Sequence, residues 1–502
     1  MTHKICFIIF FISISLSASS QDVRFRNFNT VAFEIVTPPS EDEINDKIPV
    51  DSLHKEIDFF VKTIEELGVN PYINIPKDDF NKSIDLLKRK IDVPLTRREF
   101  LLQFVPVVNE LKLSHTRLYT PVEIMEEKKV YDRNQGKYLP IEVEINNNQL
   151  IITEDYSEND LPIGKEILSI NNIQTKTIID SLYKYSKGAT KFSKINNTQN
   201  RFATLFWWVY NISRPFNIEL TDSIYTIKGK TKKELKAIKK KNKFTTKEKE
   251  PYVQYEYISV NSNTRMLRFR DFGIRDESKY YNFLDSVFLT LNKDDIKNLI
   301  IDVRNNPGGG DNYGIEVIKY LYNQPFHAYS KFYYKKSKRL ENFQYMFLYP
   351  EDRDNPKMRE AANCMGDCHE LYDYGEYYEC DKEMHNPKPD SIRFKGKVYV
   401  LANHRVYSAG NTFVGLIKDY EIGKIVGTET GQSPSNDGQL CMFYLPRSKI
   451  LAGGSTTLCI RPNGDPQTST GVLPDYEVHD SKEEKQKRVD TVMEYTMNLI
   501  KN

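Results

Sequence analysis

Three short stretches hold the residues best suited to chemistry. In "VLANHRVYSAGNTFVGLI", Ser408 stands between the apolar run Val398–Leu401 and an amphipathic helix, with Ala409, Gly410 and Asn411 beside it. A serine at a strand-to-helix turn is exposed above the sheet edge, its small neighbours leave room for substrate, and the helix N-terminus offers N–H groups to a developing oxyanion. The same position suits an ordinary N-cap serine, so the residue type alone leaves both roles open. A nucleophilic serine requires a base. His115 in "KLSHTRLY" is flanked by Ser114 and Thr116, and it falls where helical periodicity gives way to extended chain; lysine is the other side chain able to serve. In "LIIDVRNNPGGGDNYG", a buried strand (Leu299, Ile300, Ile301, Val303) runs into Gly308, Gly309 and Gly310. Glycine admits positive φ and lets a ligand touch the main chain, so this turn is suited to presenting bare N–H groups.

Competing chemistries are excluded by spacing and charge. A phosphate loop requires Gly-x4-Gly-Lys-Ser/Thr, and no Lys-Ser or Lys-Thr follows the glycines; a dinucleotide fingerprint is absent too. The chain has 71 basic and 69 acidic residues, a formal charge of +2, so nothing global points to nucleic acid. The run Lys230–Lys249, with ten Lys and two Glu, has few aromatics to stack bases and is expected as a solvated linker or hairpin. "CMGDCHELYDYGEYYEC" sets His369 beside Cys368, but Cys-x3-Cys without a matching pair is weak for zinc. We expect one or two disulfides among Cys364, Cys368, Cys380, Cys441 and Cys459, and no metal or cofactor.

The elements that must position these residues follow from periodicity. The 502 residues are 39% hydrophobic and 28% charged, enough for several packed units. Residues 1–20 carry Lys4, an apolar run from Ile5 to about Leu16, and small residues before Gln21, the layout of a cleaved secretory signal. The run is too short to span a bilayer, so the expected product is exported, periplasmic or extracellular, with no membrane span after signal removal. Residues 21–125 read as a helical domain: Leu53, Ile57, Phe60, Val61, Ile64 and Leu67 share a face before Gly68, and Thr96 with Glu99 forms a capping box. Residues 130–228 read as short strands with Asn turns, 229–250 as the Lys-rich linker, and 251–480 as an alternating α/β core interrupted by a Tyr-, Asp- and Glu-rich surface insertion over 324–392. A C-terminal helix is expected over 481–502.

The motifs, taken in order, resemble the C-terminal-processing (tail-specific) serine peptidases, which include the tricorn-core enzymes. "LIIDVRNNPGGG" closely resembles their Asp-x-Arg-x-Asn-x-Gly-Gly signature, and "VYVLANHRVYSAGNTF" their nucleophile segment. "GKIVGTETGQSPSN" is similar to the Gly-x-x-Thr-Gly turn, "LPRSKI" to the Leu-Pro strand, "STGVLPDYEV" to the closing Gly-Val-x-Pro-Asp, and "LKLSHTRLYTP" to the His-Thr segment of the His-dependent branch. The matches cover about 41–120 and 255–480; "LPIGKEILSINNIQ" is similar to part of the family's PDZ-like domain, with Asn172 where Gly is usual. The resemblance implies an α/β core of the crotonase/ClpP-like type, an N-terminal helical domain and a small PDZ-like β-rich domain. It implies an endopeptidase acting on peptides or unfolded proteins, with Ser408 as nucleophile and His115 as general base. Ser433 stands where the lysine branch has its base. Ser114 is expected to help orient His115, and the N–H groups of Ala409 and of Gly308 or Gly309 to form the oxyanion hole. Leu113 replaces a frequent Asp, and the tricorn-like glutamate falls near Thr468, leaving Glu429 as the substitute orienting acid. The missing acid keeps open an inactive ligand- or peptide-binding protein on the same fold. Oligomeric state is not legible.

Overall fold

The computed structural model describes residues 26, 39–41, 43–121, 126–213, 215–245, 252–362, 371–379, 383–479 and 489–501. The expected signal peptide and Cys364, Cys368 and Cys380 lie outside the described residues.

The apolar runs of the C-terminal half assemble a six-stranded sheet in the order Tyr255–Asn261, Thr264–Phe269, Asn298–Asp302, Lys397–Ala402, Lys424–Gly427, Tyr476–Glu477. The first pair is antiparallel and the rest are parallel. Parallel strands buried on both faces read as unbroken apolar runs rather than alternating ones, and Leu299, Ile300, Ile301, Val400 and Leu401 are fully buried. One face packs on the helices Glu277–Lys293, Asp311–Leu321 and Ala409–Asp419. The other is covered by the helix Thr491–Lys501 through Val492, against Met266, Ile300, Tyr399 and Leu401.

A second, antiparallel sheet joins distant parts of the chain. Leu451–Ile460, buried along its whole length, pairs with Asn436–Tyr444, with Arg117–Leu118 and with Lys331–Lys335, and Tyr377–Glu379 extends the edge. The region 324–392 is therefore not merely a surface excursion: two strands of it are built into this sheet. Its Tyr333 and Tyr334 register with Leu458 and Thr457, because an all-buried strand needs partners on both edges to satisfy its backbone.

The helical periodicity of the N-terminal third forms Val50–Leu67, Lys77–Lys90 and Arg97–Val108. Leu53, Ile57, Phe60, Ile64 and Leu67 are buried on the first, whereas Val61 is only half-buried. The Thr96–Glu99 capping box is complete, with both reciprocal bonds made. In the middle region, Asn147 and Asn148 take φ of 47° and 63° in a two-residue hairpin turn, a conformation asparagine tolerates better than other non-glycine residues. These helices share one core with the middle region and with Cys441–Leu445 and Ile450–Ala452.

Two further expectations are corrected. The Lys-rich segment is neither linker nor hairpin: Lys230–Thr231 pairs with Lys137–Tyr138, and Lys232–Thr245 is a helix. Thr231 and Glu234 close a capping box at the start of that helix, and Lys230, Lys232 and Lys239 bridge to Glu158, Asp132 and Glu142. Cys441 and Cys459 are free and buried, so neither joins the expected disulfides. Among the described residues no helix is long and apolar enough to cross a membrane.

Candidate active site

Asn298–Asp302 and Lys397–Ala402 are adjacent parallel strands in the register Asp302↔Leu401. Loops leaving the carboxyl ends of neighbouring parallel strands emerge side by side, which is where such sheets build sites. Here they bring the triple-glycine turn against Ser408. A Cβ on Gly308, whose φ is +105°, would lie 2.6 Å from Ser408 Cβ. One on Gly309, at φ +146°, would lie 2.0 Å from the carbonyl carbon of Phe272. Both positions thus require glycine for conformation and for space.

Asn306 organises this junction. It is fully buried. Its amide donates to Phe269 C=O at 3.1 Å, its Oδ1 accepts from Gly308 N–H at 2.8 Å, and its C=O accepts from Tyr407 N–H at 3.0 Å. The Gly308 N–H is therefore occupied, which removes it from the expected oxyanion donors. Gly309 differs. Phe272 N–H bonds Gly308 C=O at 2.8 Å and Gly310 N–H bonds Phe272 C=O at 2.9 Å. In that parallel bridge the Gly309 N–H points away from Phe272, and it has no partner among the described residues. Asp302 and Arg304 brace the turn from below through paired bonds of 2.9 Å, and Arg304 continues to Asp490 at 2.6 Å. The acid and the arginine, two apart in the motif, are thus paired with each other.

Ser408 occupies the N-cap position of Ala409–Asp419 with φ 51° and ψ −130°, and its side chain makes no capping bond. A non-glycine residue there carries strain of about 1–3 kcal/mol. The ordinary N-cap role is thereby excluded, and the hydroxyl is free of partners among the described residues. The Ser408 N–H donates to Gln432 Oε1 at 2.8 Å, and the next N–H, that of Ala409, has no partner among the described residues. Thr430 fixes this wall: its hydroxyl donates to Asn411 Oδ1 at 2.6 Å and accepts from Val472 N–H at 2.7 Å.

His115 arrives from the other sheet, where Arg117↔Gly453 and Leu118↔Ala452 anchor its loop. Its Nδ1 lies 2.8 Å from Asp437 C=O, an acceptor that requires Nδ1–H and leaves Nε2 as the basic nitrogen. The Asp437 carboxylate accepts from Ser114 N–H and His115 N–H, each at 2.8 Å, and stands 3.6 Å from Nδ1. Burial alone would raise the Asp437 carboxyl; the hydrogen bond and charge of His115 and the two backbone donors outweigh it and hold the group below its ordinary value. Ser114 thus contributes its backbone to the same clamp. Glu429 does not approach this ring: its Oε1 accepts from Gly471 N–H at 2.7 Å and supports the closing turn. Asp437 stands in its place, unannounced in "SPSNDGQL". Thr468 bonds Asn74, and Ser433 donates to Gln467 C=O at 2.7 Å.

Ser114, Asp437 and Ser433 line one cavity with Gln432, the acceptor of the Ser408 N–H. The cavity thus lies between the loop that carries His115 and the Gln432 side chain that holds the Ser408 N–H. No hydrogen bond joins His115 to Ser408 among the described residues.

A strained serine at a strand-to-helix turn, two N–H groups open among the described residues and a histidine held in one tautomer are the groups that serine hydrolysis uses. Residues 257–478 match the model of peptidase family S41, the region in which most of the motifs that resemble that class lie. No curated protein matches the sequence. Among solved structures, mature CPAF complexed with lactacystin aligns with a TM-score of 0.58 at 12% identity, over 90% of this chain and 97% of that one. Mature CPAF alone gives 0.57 at 13%, over 89% and 95%, a likeness of fold. The photosystem II D1 C-terminal processing protease aligns more loosely, with a TM-score of 0.40 at 13% identity over 85% and 92%.

Proposed function

We propose that this protein is an exported endopeptidase that cleaves peptides or unfolded proteins through an acyl-enzyme on Ser408, with His115 as general base. His115 Nε2 takes the Ser408 proton as Oγ attacks the scissile carbonyl, and the N–H groups of Gly309 and Ala409 receive the oxyanion. His115 returns that proton to the leaving amine. Water then attacks the acyl-enzyme with its proton passing to Nε2, and release of the acid restores the serine. Asp437 holds the imidazole in register. The middle region, by its likeness to a PDZ-like module, would hold substrate for a crotonase/ClpP-like core. The observation that carries this reading is the strained Ser408 with no capping bond beside two open N–H groups. Catalytic hydrogen bonds are often longer without substrate, so cleavage requires His115 and Ser408 to close up on binding.

That unmade contact favours one other reading, an inactive peptide-binding protein on the same fold. A fluorophosphonate separates the two. The active enzyme is labelled on Ser408, and Ser408→Ala abolishes both labelling and casein hydrolysis. An unlabelled wild-type chain that still binds casein would sink the catalytic account. Export is checked by the N-terminal residue of protein recovered outside the cytoplasm, expected at Gln21.

A further inference from the structure

A second polar group joins the helix that follows the triple glycine to the helix that follows Ser408. Asp311 directly follows the triple glycine and opens the helix Asp311–Leu321. Its Oδ2 accepts from the Tyr329 hydroxyl at 2.7 Å, and the same hydroxyl lies 3.2 Å from Thr412 Oγ1. Thr412 is buried on the first turn of the nucleophile helix, where its N–H bonds Ser408 C=O at 2.8 Å. Asp311 also interacts with the Thr412 hydroxyl, and burial holds its carboxyl above the ordinary value despite both hydroxyls. Cys459 packs close enough to feel the charges of both Asp311 and Asp437.

The arrangement has a geometric consequence. The oxyanion receives one N–H from Gly309, two residues before Asp311, and the other from Ala409, three before Thr412. The two donors belong to different loops, which are joined by Asn305–Asn403 and Asn306–Tyr407 hydrogen bonds on one side and by Asp311–Tyr329–Thr412 on the other. Donors must sit about 2.7–3.1 Å from the oxyanion, so a small change in their separation costs one of the two bonds.

We propose that Asp311, Tyr329 and Thr412 form a positioning clasp that sets the spacing of the Gly309 and Ala409 N–H groups. It rests on the catalytic reading above. The clasp acts on the tetrahedral intermediate rather than on bound substrate, because the ground-state carbonyl makes weaker use of both donors.

The test uses the full chain with Thr412→Val, Thr412→Ser, Tyr329→Phe and Ser408→Ala, a quenched fluorescent casein and a fluorophosphonate. Thr412→Val keeps shape and removes the hydroxyl; Thr412→Ser keeps the hydroxyl and removes a methyl. We expect Thr412→Val and Tyr329→Phe to lower kcat and the labelling rate about 10- to 100-fold, with KM within about twofold and an unchanged circular dichroism spectrum. Thr412→Ser should keep kcat within about threefold. Retention of kcat by Thr412→Val and Tyr329→Phe while Ser408→Ala is inert would overturn the clasp and leave the nucleophile standing. So would a loss confined to KM, or one as deep in Thr412→Ser as in Thr412→Val. A wild-type chain that neither cleaves nor labels overturns the catalytic reading itself.

Discussion

Asp437→Asn tests whether the histidine is held by an acid that stands 322 positions away in the chain. The wild-type carboxylate accepts the Ser114 and His115 N–H groups, one on each oxygen, and only 8% of the side chain is exposed. Asparagine preserves the shape but offers one oxygen, so one backbone N–H faces an amide that also donates. A hydrogen bond to a charged group is worth about 1.5–3 kcal/mol, and an unsatisfied buried donor costs a similar amount. Because both donors belong to the turn that aims the imidazole, a loss of this size felt at the transition state lowers kcat/KM by about 10- to 150-fold. The carboxylate also lies 3.6 Å from Nδ1, where it stabilises the imidazolium formed during attack; its loss therefore falls on kcat rather than KM. Casein hydrolysis with a thermal melt of the same preparation reads both effects. Unchanged kcat, within twofold, in a folded Asp437→Asn protein refutes the assignment of Asp437 as the orienting acid.

The same group makes a pH prediction. Its folded pKa lies below the ordinary value, so its contribution to stability is complete above the unfolded carboxylate range of about 4 and is lost as pH falls through and below it. The difference in melting temperature between wild type and Asp437→Asn should be flat from neutral pH down to about 5 and should shrink below about 4. Ser408→Gly removes a side chain from φ 51°; it should be inactive yet more stable than Ser408→Ala by about 1 kcal/mol, read as a higher melting temperature. Asn306→Ala strips a fully buried hub of partners on Phe269 and Gly308; we expect a loss of about 2–4 kcal/mol and no detectable labelling. Arg304→Lys cannot span Asp302 and Asp490 with paired bonds. Limited proteolysis should then remove the C-terminal helix faster than in wild type.

Where local chemistry suffices, the sequence alone was decisive. Three consecutive glycines after a buried strand mean backbone that must be bare, and two of them do sit at positive φ. Thr96 with Glu99 closes its capping box because both partners lie within one helical turn, and Asn147–Asn148 turns its hairpin for the same local reason. Ser408 was legible as a residue at a strand-to-helix turn; whether its hydroxyl capped the helix or stood free depended on a backbone angle no spacing reveals. Tertiary structure decided the rest. Gly309 rather than Gly308 keeps an open N–H because the side chain of Asn306 folds back onto the latter. Asp437 carries no mark in the sequence, and only the pairing of Leu451–Ile460 with both Asn436–Tyr444 and Arg117–Leu118 carries it under His115. The Lys-rich run lies against acids from other segments, Glu158, Asp132 and Glu142, that no local pattern pairs with it. A hydrogen bond between remote segments leaves no periodic trace in either one, so the partners of a catalytic group are written in the packing of sheets and not in the order of residues.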